Sequence, residues 1–98
     1  MKPYEILNAV LTENIFLSRE PLVHFWHSDT GRFNCSVVVF PRTSEEEQRM
    51  FHLMRTFPRP TTQLTTSLKD GGTIVENNYG SYPEAQCTVK IFLKDDTQ

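Results

Sequence analysis

Twice along this chain a short glycine-bearing turn separates two stretches in which apolar and polar residues alternate, which restricts the fold to one built on β-hairpins. Asp29-Thr30-Gly31 lies between Leu22–Ser28 and Phe33–Phe40, and Asp70-Gly71-Gly72 lies between Leu64–Lys69 and Thr73–Tyr79. A tight reversal between twisted strands needs a positive φ, which glycine adopts without steric penalty. In Phe33–Phe40 one face reads Phe33, Cys35, Val37, Val39 and the other Asn34, Ser36, Val38, Phe40. A third alternating stretch, Gln86–Lys94, puts Cys87, Val89, Ile91 and Leu93 on one face. Successive strand residues point to opposite sides of a sheet, so each stretch has an inner and an outer face.

Two other segments carry the helical period. In Pro3–Phe16, Leu7, Val10, Leu11 and Ile15 recur at helical spacing with Ile6 beside them. Pro3 suits a first helical turn, where its missing N–H is no loss. After Pro41, Ser44 with Glu47 matches a capping box, and Glu45, Glu46 and Glu47 sit at the positive end of the helix dipole. Met50, Leu53, Met54 and Phe57 form the stripe, and Pro58 and Pro60 stop the helix. Gly80–Glu84 reads as a loop before the last strand. The order is therefore α-β-β-α-β-β-β. Strands joined by tight turns predict an α+β fold, an antiparallel sheet of about five strands with two helices packed on it, forming a single domain over residues 1–98.

Composition narrows the function classes. At 98 residues there is material for one modest core and no second one. The formal net charge of −2 argues against a general affinity for duplex nucleic acid or anionic membranes, which attract clustered Lys and Arg. The start of the chain, Met1–Phe16, is amphipathic and carries Glu5 and Glu13, unlike a secretory signal. The longest apolar run, Val37–Phe40, is far short of the roughly 18 residues that span a bilayer. A cytoplasmic location without membrane attachment is the expectation.

The residues that invite a chemical role have simpler explanations. His24 and His27 are three apart on a strand, so they face opposite ways and cannot share a metal ion. His52 falls off the apolar stripe of its helix. Cys35 and Cys87 are too few for a disulfide scaffold, and each sits in register with aliphatic neighbours. An apolar setting raises a thiol's pKa and makes it inert. The glutamate cluster is a helix start, Asp95-Asp96 belongs to a frayed end, and the two Asp-Gly turns are too short for phosphate or calcium loops. The sequence thus predicts no catalytic residue, no metal and no cofactor.

The aromatic distribution is more telling. Phe25 and Trp26 are adjacent on a strand and must point to opposite faces, so at least one large ring lies outside the main core. Val38, Phe40 and Phe92 fall on the outer faces of their strands. Two helices are too few to cover both sides of five strands, and a large exposed apolar patch marks an interface. Arg42, Arg55 and Arg59 form a second expected patch around the rigid exit of the second helix, suited to an acidic partner. The candidate partner-binding residues are Phe25, Trp26, Phe40, Arg42, Arg55, Arg59 and Phe92.

The expected function is that of a small non-enzymatic protein-binding domain, an inhibitor or a regulatory or adaptor protein of the kind common in phages and mobile elements. Its expected partner is another protein, including a second copy bound through the sheet face as a homodimer. One alternative is single-stranded nucleic-acid binding, with the aromatics stacking bases and the three arginines on the backbone. Phe33–Phe40 lacks the paired aromatics in a glycine- and basic-rich motif that mark an RNA-recognition module. A second alternative is a small enzyme using Cys35 with a neighbouring histidine.

Overall fold

The inner faces of the alternating stretches meet in one core. In the computed structural model, which describes residues 1–27, 33–80 and 85–93, the elements are α1 (Pro3–Glu13), β1 (Leu22–His27), β2 (Phe33–Val39), α2 (Ser44–Arg55), β3 (Thr62–Ser67), β4 (Thr73–Tyr79) and β5 (Gln86–Leu93). The order α-β-β-α-β-β-β matches the expectation. The turn Asp29-Thr30-Gly31, the loop residues 81–84, Asp95-Asp96 and the side chain of Phe33 lie outside the described residues.

The five strands form one sheet in the order β1-β2-β5-β4-β3. This sheet is mixed, which corrects the expected all-antiparallel arrangement. β1–β2, β3–β4 and β4–β5 pair antiparallel, but β5 lies parallel to β2, with Cys35 opposite Cys87 and Val37 opposite Val89. The cause is the α2 crossover. It carries the chain back along the sheet, so β3 starts at the same end as β2. Two further reversals leave β5 running with β2, in the slot between β2 and β4. A parallel neighbour requires such a long crossover, and a helix supplies it.

Cys35, Val37 and Val39 of β2 and Cys87, Val89 and Ile91 of β5 are all buried, and they form the floor of the core. Ile6, Leu7 and Val10 of α1 lie on that floor, with Met50 of α2 and Phe57 beyond it. The Phe57 ring meets Tyr79 of β4 edge-on, with ring centres 5.7 Å apart. Both helices therefore share one side of the sheet.

Two local details differ from the expectation. First, α1 ends at Glu13 and tightens into a 3₁₀ turn over Asn14–Phe16. The tighter winding swings Ile15 outward to 77% exposure and turns Asn14 inward. Asn14 Nδ2 then donates to the Arg19 carbonyl at 3.2 Å and pins the following loop. Second, the α2 cap is one residue earlier than the Ser44–Glu47 box. Thr43 Oγ1 accepts from the Glu46 N–H at 3.1 Å. Glu46 is then placed to accept from the Arg42 N–H (3.1 Å) and from Ser18 (3.4 Å). These bonds, Arg42's first, lower the Glu46 pKa and tie the loop before β1 to the start of α2.

The second hairpin has the expected turn and β4, but β3 runs Thr62–Ser67, two residues earlier than the expected Leu64–Lys69. Gly71 has φ +92°, the Leu68 N–H donates to the Gly72 carbonyl at 2.7 Å, and Asp70 Oδ1 accepts from the Gly72 N–H. Among the described residues no helix is long and apolar enough to cross a membrane.

Candidate functional site

Because both helices occupy one side, no helix of the described residues lies on the opposite side of the sheet. Strand alternation decides which side chains appear there, and the pairing register arranges them in rows. Leu22, Val38, Lys90, Glu76 and Leu64 form one row across all five strands. His24, Ser36, Thr88, Asn78 and Thr62 form the next. Trp26 lies beyond the second row, and Phe92 with Ile74 lies beyond the first.

The middle of this face is polar and internally bonded. Asn78 Nδ2 donates to Thr62 Oγ1 (2.8 Å) and Glu76 Oε2 (3.1 Å), and Thr88 Oγ1 donates to Asn78 Oδ1. Lys90 Nζ lies 3.7 Å from Glu76 Oε1. Both charges are partly exposed, so in the free chain the pair contributes little stability. Around this centre the apolar groups are open to solvent: Leu22 at 61%, Leu64 at 57% and Trp26 at 38%. His24 stacks on Trp26 with ring centres 5.3 Å apart, and the two wall a shallow groove of about 550 Å³ floored by Ser36, Thr88, Lys90 and Glu76.

The expected site residues fall in three places. Trp26, Phe40 and Phe92 share the open side, but at opposite ends. Trp26 is opposite Asn34 at one end of β2 and Phe40 follows the other, roughly 20 Å away at 3.3 Å per residue. Phe40 and Phe92 pack together at 5.8 Å, and the Arg19 guanidinium lies 3.9 Å above the Phe40 ring. Phe25 points to the helix side of edge strand β1 and is half exposed, because helix cover is centred on β2 and β5. The three arginines do not form one patch. Arg42 precedes α2, while Arg55 is its last residue and Arg59 follows its far end, about 18 Å away at 1.5 Å per residue. Arg55 and Arg59 line a separate cavity on the helix side.

Arg19 was not among the expected residues. It belongs to a loop with no period of its own, and only the Asn14 bond to its carbonyl and the ring of Phe40 reveal its position.

The groups considered for chemistry do not assemble. His24 and His27 have opposite strand parity, and no group of three or more His, Cys, Asp or Glu is placed to hold a metal among the described residues. Cys35 and Cys87 are free, buried thiols. Burial pushes both thiol pKa values up. In Cys35 a bond from Cys87 partly offsets the rise, whereas in Cys87 its neighbour adds to it.

No known protein-family model matches the chain, and no curated protein is significantly similar to it. The functional reading therefore rests on the geometry of the open face.

Proposed function

We propose that this chain is a non-enzymatic, regulatory protein-binding domain that works as a homodimer, two copies meeting through the open side of the sheet. One observation carries the reading. Among the described residues all helix cover is on one side, and the other side holds Leu22, Trp26 and Leu64 exposed around a bonded polar centre.

Three features favour a second copy as the occupant. Five strands at about 4.8 Å spacing and seven residues at about 3.3 Å give a face of roughly 550 Å² in projection, on the scale of one side of a small specific interface. The Glu76–Lys90 pair is self-complementary: a two-fold axis near it sets each charge against the opposite charge of the other copy. The apolar groups sit at the edges and ends of the face, so a two-fold related copy meets apolar surface with apolar surface. Hydrophobic burial then supplies the affinity and the central charges supply the register.

The arrangement counts against single-stranded nucleic acid. Among the described strand residues of this side Lys90 is the one cation besides histidine, and it is paired with Glu76; Arg19 reaches this side from a loop, over Phe40 at one end. The arginines required for the backbone lie elsewhere. The raised thiol pKa values count against a cysteine nucleophile.

Sedimentation velocity of the full chain tests the proposal. The expected mass is twice 11.4 kDa. Leu22→Lys and Leu64→Lys should each give monomers with unchanged far-ultraviolet circular dichroism, because both side chains are exposed in the single copy. A wild-type chain that stays monomeric up to about 100 μM, a weak affinity for any specific dimer, overturns it.

A further inference from the structure

On the helix side, α2 packs against α1 and leaves edge strand β3 exposed, and a cavity of about 330 Å³ opens between the end of α2 and strands β3 and β4. Its walls are mainly apolar, with Phe51, Met54, Phe57 and Val75, and Gln63 of β3 lines it opposite Asn77. Two features within it are not explained by packing. Asn77 lines the cavity and is 5% exposed, in a position whose strand neighbours Val75 and Tyr79 are core residues. Its Nδ2 donates to the Tyr79 hydroxyl at 3.1 Å, but its Oδ1 is buried with no hydrogen-bond partner. An apolar residue of the same size would avoid that desolvation penalty. At the mouth, Arg55 and Arg59 are both exposed, and neither has an ion-pair partner among the described residues.

We infer that this cavity is a binding site for a small apolar carboxylate: a flat hydrophobic body with an N–H or O–H donor at one end and an anionic group at the other. The donor meets Asn77 Oδ1 on the floor, which supplies the missing bond. The body lies against Phe51, Met54, Phe57 and Val75, in a volume suited to a small ligand. The carboxylate meets the Arg55 and Arg59 guanidinium groups, whose planar donor sets match it. The site lies on the opposite side of the sheet from the proposed dimer face, so either can fail without the other.

Indole-3-acetate carries all three features and serves as the probe, with indole-3-acetamide as its uncharged counterpart. Titration of the isotope-labelled full chain, followed by nuclear magnetic resonance, should shift the Asn77 side-chain amide and the Arg55 and Arg59 Nε signals. At the per-atom efficiency usual for small ligands, the dissociation constant is about a millimolar. The acetamide should bind the wild-type chain at least about tenfold more weakly, since it lacks the charge-assisted bonds. The Arg55→Gln/Arg59→Gln variant, altered at exposed positions, should bind the acetate with the same loss. Failure of the acetate to shift Asn77 up to about 10 mM overturns the inference, as does equal binding of acetate and acetamide or an unchanged affinity in the arginine variant. In those cases Asn77 Oδ1 is served by water alone.

Discussion

Cys35 and Cys87 face each other across the parallel pair β2–β5, and both thiols are buried among Val37, Val89 and Ile91. Desolvation disfavours the thiolate, so the folded-state pKa of each is raised. The sign of the consequence is fixed. An unfolded thiol ionises near pH 8.5, and above that pH the unfolded chain sheds protons that the folded chain keeps. Stability is therefore insensitive to these thiols below about pH 8 and falls as pH rises further, by up to about 1.4 kcal/mol per pH unit for each thiol. Urea midpoints at about pH 7 and pH 9.5 should show this decline in the wild-type chain. The Cys35→Ala/Cys87→Ala variant should lose most of it, and an equal decline in both contradicts the account. Thiol-reactive reagents should modify either cysteine only as fast as the chain opens. The same inertness was legible in the sequence, because both residues share the parity of their aliphatic neighbours. The position of Arg19 over Phe40 was not, since it depends on the side-chain bond of Asn14 and on where a loop without a repeating pattern comes to rest.

Secondary structure was readable where a period repeats and blurred where it ends. Gly71 and β4 follow their sequence signals directly, while β3 starts and ends two residues earlier than its apolar pattern suggested. The α2 cap slipped by one residue because Thr43-Ser44-Glu45-Glu46-Glu47 contains two overlapping capping patterns, and the one that also lets Glu46 reach Arg42 and Ser18 prevails. Removing the cap with Thr43→Ala should lower stability by about 1 kcal/mol in urea unfolding, whereas Ser44→Ala should have little effect. Ile15 fits the helical stripe on paper but lies past the point where α1 tightens to 3₁₀, so it emerges on the surface. Gly80 is a further constraint. Its φ is +90°, and a Cβ there would run into the Ala85 carbonyl. Gly80→Ala should therefore destabilise the β4–β5 connection by about 1–3 kcal/mol, measured the same way.

At the scale of the whole molecule, the hydrophobic pattern fixes which face each strand turns inward but says nothing about which strand lies beside which. That is why the parallel β2–β5 pair escaped a sequence reading: it follows from the α2 crossover and from long-range packing of Val37, Val89 and Ile91 under α1. The same limit applied to the site. Alternation separated Phe25 from Trp26, but placing both helices on one side, and Arg55 and Arg59 far from Arg42, needed the third dimension. Under the proposed function, a second copy docks on the uncovered side. The protein has a single tryptophan, and it lies on that side, on edge strand β1. Leu64 is on the opposite edge, four strands away or about 19 Å at 4.8 Å per strand, too far to touch Trp26 within one copy. Iodide quenching of Trp26 in the wild-type chain and in Leu64→Lys is the most direct test. Burial of Trp26 by a second copy predicts weaker quenching and a bluer emission in the wild type than in the variant. Identical quenching in the two, with the emission of an exposed indole, would contradict it.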